Sequence, residues 1–99
     1  MNDGEKGEKV VMKRIENTLI ERGEKYGEFS NYARICSELK MVCANNSLSA
    51  DFCYIHEEAL DMIFSKIARI LSGDPNHSDN WHDIAGYATL VEKEVTKGF

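Results

Sequence analysis

A chain of 99 residues with 42% hydrophobic content is sized for one domain with a small core, which oligomerisation commonly supplements. The net charge of -5 and the lack of a basic patch argue against nonspecific or sequence-specific nucleic-acid binding as the main role. No apolar run approaches the ~20 residues that a membrane span needs, so no membrane association is expected.

The stretch "MNDGEKGEK" is polar and has no apolar core of a signal peptide, so a cytoplasmic protein is expected. Residues 1–9 read as a flexible tail, and 10–97 as a single helical domain. Cys36, Cys43 and Cys53 form no CxxC pair and are odd in number. They read as small core hydrophobes rather than as a disulfide frame or zinc site.

Helical periodicity recurs along the chain, and no convincing strand alternation appears. The first helix is expected from about Glu8 to Lys25, with Val11, Ile15 and Leu19 at helical spacing and Met12 and Ile20 alongside. Gly23 and Gly27 then break it. The second is expected from Asn31 to Ala44 with Ser30 as its N-cap, and carries Tyr32, Ile35, Cys36, Leu39, Val42 and Cys43 as an apolar stripe. The third is expected from Ala50, capped by Ser49, to Ser72, with Leu60, Ile63, Phe64, Ile67, Ile70 and Leu71 on its core face. Gly73 and Pro75 close it. The fourth runs from about Ser78 to Lys97 over Trp81, Ile84, Ala88, Val91 and Val95. Four such helices with short connections predict an all-α four-helix bundle.

The acidic residues raise a functional reading. At 100° per residue, Asp79, Asp83, Gly86, Tyr87 and Leu90 share one strip of the fourth helix. Asp79 and Asp83 lie four apart, and paired carboxylates attract a hard cation such as Mg²⁺. On the third helix Glu58, Asp61, Ser65 and Arg69 share a strip, with Lys66 beside it. Antiparallel packing of the two helices can bring these sets together. A metal held by Glu58, Asp61, Asp79 and Asp83, with Lys66 and Arg69 on phosphate oxygens, would suit phosphoryl chemistry. The plain alternative is that Asp79 serves the helix dipole and that Glu58 and Asp61 face water. His56, His77 and His82 read as solvated, and Trp81 as core.

The segment "RGEKYGEFSNYAR" crowds Arg22, Lys25, Tyr26, Phe29, Tyr32 and Arg34 around two glycines. Such a set could stack a base and hold phosphates. It could equally be a tight interhelix turn whose aromatics close the bundle's end.

"RGEKYGEFSNYARI" followed by "EEALDMIFSKIARILSGDPNHSDNWHDIAGYATLVE" resembles a group of small phage and prophage proteins, over about residues 13 to 94. More distantly, the chain is similar to the MazG-like all-α nucleotide pyrophosphohydrolases. Those enzymes hold Mg²⁺ through an ExxE and an ExxD motif and cleave nucleoside triphosphates to monophosphate and pyrophosphate. The resemblance puts Glu58 and Asp61 at the first motif and Asp83 at the second, and so implies metal-binding and catalytic roles for them. Asn80 stands where the second motif has Glu, and Asp79 is the nearest acid. A branch linked to phage nucleotide modification shows the same "DxxxD…Y" rhythm and a basic pair like Lys66 and Arg69. The resemblance thus implies a MazG-like bundle, a homodimer or homotetramer, and a nucleotide ligand contacted by Lys66, Arg69, Lys25, Tyr26 and Tyr87. Three roles follow as expectations: a Mg²⁺-dependent (d)NTP pyrophosphohydrolase, a phage anti-defence protein that sequesters a nucleotide signal or docks on a host defence enzyme, and a plain assembly module.

Overall fold

The computed structural model describes residues 3–98. These form four helices and no strand: α1 (Asp3–Tyr26), α2 (Phe29–Ala44), α3 (Tyr54–Ser72) and α4 (Ser78–Lys97). None is long and apolar enough to cross a membrane.

Helix α1 starts at Asp3, so the segment expected as a tail is helical from there on; Met1 and Asn2 lie outside the described residues. Glycine weakens a helix by about 1 kcal/mol but, unlike proline, keeps its N–H, so the glycines inside α1 do not stop it. The break comes at Gly27, whose φ of 82° is open to glycine at little cost. A Cβ there would overlap the carbonyl oxygen of Ser72. The Ser72 hydroxyl meanwhile donates to the carbonyl of Tyr26 at 2.6 Å. The α1–α2 corner is therefore clamped on the C-terminal end of α3.

The chain re-enters a helix at once. Glu28 is the extended N-cap of α2 and gives no side-chain cap, while Ser30, the expected cap, sits in the first turn. The start of α3 also differs from expectation, at Tyr54 instead of Ala50. Ser49 is spent on a turn, because its hydroxyl accepts from the Asp51 N–H at 3.1 Å and its carbonyl from the Phe52 N–H at 3.0 Å. Cys53 caps instead, and its own N–H donates to Nδ1 of His56 at 3.0 Å. Helix α4 has the expected bounds, and Gly98 ends it in the left-handed conformation.

α3 is the hub. It packs most extensively on α4, then on α2, and only over a small area on α1. Among the described residues the four helices do not close into a bundle, since the main contacts all run through α3. Among the described residues only Ile35 and Ala68 are buried hydrophobics. The face that α4 turns inward is also rotated from the expected stripe. Asn80 is almost fully enclosed, and Asp83, Ile84, Tyr87 and Val91 are half-buried, while Trp81, Ala88 and Val95 are exposed. The Trp81 indole N–H donates to the Pro75 carbonyl at 2.8 Å, which holds the ring over the α3–α4 loop instead of in the core.

Candidate ligand cleft around Arg69

The α1–α2 corner and the last turns of α3 enclose an open cleft of about 570 Å³, within the ~300–1,000 Å³ usual for small-molecule sites. Leu19, Arg22 and Tyr26 of α1, Glu28 between the helices, Phe29 and Tyr32 of α2, and Arg69 of α3 line it. Arg69 is its chemical centre. The guanidinium carbon lies 4.8 Å from the ring centre of Tyr26 and 5.7 Å from that of Tyr32. Among the described residues the group has no ion-pair or hydrogen-bond partner, so its N–H donors are open to a ligand.

The rings that hold Arg69 are themselves fixed. The Tyr32 hydroxyl and the Ser65 hydroxyl share a hydrogen bond of 2.8 Å. Ser65 lies one turn before Arg69 on α3, so one helix face positions both the cation and a tyrosine. Tyr26 meets the His77 ring edge-on, with centres 5.5 Å apart. Phe29 leans against Tyr32 at 6.1 Å and stays 79% exposed, leaving an aromatic face at the mouth of the cleft. Arg34 is not part of this set, because it pairs with Glu38 at 2.8 Å on the outer face of α2.

The residues proposed from the sequence fall in separate places. Arg69 and Tyr26 meet in the cleft. Lys66, about 60° round α3 from Arg69, faces α4, where its Nζ lies 3.0 Å from Asp83 Oδ2, and the pair joins α3 to α4. One turn before Asp83, Asn80 is 1% exposed, with its Nδ2 unpaired among the described residues. Glu58 and Tyr87 line an apolar groove between α3 and α4 together with Glu94. Asp61 lines a different groove, between α2 and α3, beside Lys40 and Glu57. Asp79 lies at the start of α4, 3.5 Å from Nε2 of His77. The side chain of Lys25 lies outside the described residues.

This dispersal does not fit a Mg²⁺ centre built from Glu58, Asp61, Asp79 and Asp83 of one chain. No group of three or more His, Cys, Asp or Glu side chains among the described residues could hold a metal ion. Asp83 already faces an ammonium, and Glu58 and Asp61 look toward different neighbours of α3.

Two of the three histidines also depart from expectation. His77 is half-buried against Tyr26, and His56 is half-buried and stacked on Phe52 at 5.4 Å. His82 is exposed, as expected. The three cysteines are free and half-buried.

A family model described as a domain of unknown function, DUF6378, matches residues 10–95. The chain belongs to the DUF6378 family. No curated protein and no solved structure matches it. The matched span of this DUF6378 protein takes in most of α1 and the whole of α2 and α3, so every described residue of the Arg69 cleft lies inside the family domain.

Proposed function

We propose that this DUF6378 protein binds a nucleotide, an aromatic base carrying phosphate, in the cleft around Arg69. The observation that carries this reading is the guanidinium between two tyrosine rings, which has no ion-pair or hydrogen-bond partner among the described residues. A buried or half-buried cation without a carboxylate partner is costly, and an anionic ligand offsets that cost. Arginine matches phosphate oxygens with a planar fork of donors, and Arg22 adds a second positive charge at the same cleft. The exposed face of Phe29 offers a stacking surface for a base.

Binding without turnover accounts for the acids better than hydrolysis does. The pyrophosphohydrolase reading needs carboxylates gathered on a metal, and within one chain they are apart. In a phage or prophage setting, which the sequence resemblance implies, the binding role would be to sequester a nucleotide signal or a pool nucleotide.

A melting-temperature panel tests this. A ligand that binds only the native state raises its stability by RT ln(1 + [L]/Kd), about 2.7 kcal/mol at a hundredfold excess over Kd. The expected result is a rise with at least one nucleotide in metal-free buffer and none with the matching nucleoside. No rise with any mononucleotide, dinucleotide or cyclic nucleotide would overturn the proposal.

A further inference from the structure

We infer that the exposed apolar face of α1 is covered by a second copy of this chain, and that the protein is a dimer held through that helix. Val11, Ile15 and Leu19 fall within about 80° of one another around the helix at 100° per residue, and Met12 lies beside them. They are between 49% and 63% exposed. Tyr26 continues the same line and is the point where α1 meets Arg69 and His77 of the main body. The stripe is therefore the packing face of α1, carried past its small contact with α3 to where no described residue covers it.

Two bulk properties say how much is missing. The accessible surface is 7,634 Å² for 11.2 kDa, against about 5,700 Å² expected of a compact monomer of that mass. The difference, about 1,900 Å² per chain, lies in the range that obligate homodimers bury. The radius of gyration is 18.5 Å, against about 12.6 Å for a compact domain of this length. Most helical stability in proteins also comes from packing an amphipathic face, and the 24-residue α1 packs little of its own within the chain. A second copy supplies an identical stripe, so a two-fold contact can bury both at once. This inference does not require the cleft's ligand, although Leu19 belongs both to the stripe and to the rim of the cleft, so the dimer is tested on ligand-free protein.

The test is the solution mass of the ligand-free protein by light scattering after size exclusion. We expect twice the chain mass for the native sequence. We expect one chain mass for the double variant Ile15→Lys, Leu19→Lys, with helical circular dichroism retained in α2 to α4. Asn17→Lys, on the opposite face of α1, should stay dimeric. A native protein that runs as one chain at tens of micromolar overturns the inference. So does a dimer that survives the double variant, because the interface must then lie elsewhere.

Discussion

Lys66 Nζ lies 3.0 Å from Asp83 Oδ2, and the lysine side chain is 11% exposed where the aspartate is 42% exposed. The pair is therefore asymmetric: one charge is taken out of water, and the other keeps access to it. Lys66 depends on Asp83 more than the reverse, since a buried charge without a partner carries its full desolvation penalty. The pair also spends the two residues that a phosphate and metal site would have used.

Removing Asp83 should cost more than removing Lys66. Asp83→Ala leaves an unpaired buried ammonium, and about 1–3 kcal/mol is expected for an uncompensated buried polar group. Lys66→Met keeps the aliphatic bulk and leaves a carboxylate that water can reach, so its loss should be smaller. Urea unfolding of both variants and of the double variant, at one protein concentration, gives the order and the coupling. The reverse order would mean that the pair is not seated as described.

Gly27→Ala should be among the most damaging single substitutions in the chain. A left-handed backbone costs a non-glycine residue about 1–2 kcal/mol, and the new methyl would also overlap the Ser72 carbonyl. The corner of α1 and α2 must then lift off α3, and the Arg69 cleft opens with it. Gly23→Ala, where a Cβ meets nothing within 4 Å, should be neutral or stabilising by a few tenths to 1 kcal/mol. Thermal melts of the two variants check this, and equal losses would contradict the clamp at Ser72.

The acids carry a prediction of the opposite kind. Millimolar Mg²⁺ should not raise the melting temperature of the ligand-free protein, and Asp61→Asn should bind nucleotide as the native protein does. A rise of several degrees that Asp61→Asn abolishes would show that the carboxylates assemble in a way that one chain does not provide.

These predictions mark where the sequence was legible. The helical class, the number of helices and the bounds of α4 follow from apolar spacing and from Gly73 and Pro75. The odd composition of "RGEKYGEFSNYAR" flagged the cleft, since four of its aromatics and bases, Arg22, Tyr26, Phe29 and Tyr32, line it. What spacing could not give is direction around a hub. Glu58 and Asp61 differ by about 60° on α3, and a helix flanked by α4 and α2 needs no more than that to send them into separate grooves. The rotation of α4 was hidden for a related reason. An apolar-stripe rule puts Trp81 inside and Asn80 outside, whereas Lys66 draws Asp83 inward and brings Asn80 with it. Caps were lost to local competition, as Ser49 bonds its own turn and leaves Cys53 and His56 to start α3.

Arg69 is proposed to receive the phosphate of a nucleotide. Titration calorimetry of ATP into the native protein and into Arg69→Gln, both in EDTA, tests it most directly. Hydrogen bonds to charged groups contribute about 1.5–3 kcal/mol, so the variant should bind at least tenfold more weakly while its melting temperature stays close to native. Equal affinity for the two proteins, or no ATP binding by the native protein when another nucleotide binds equally well to both, would contradict the account.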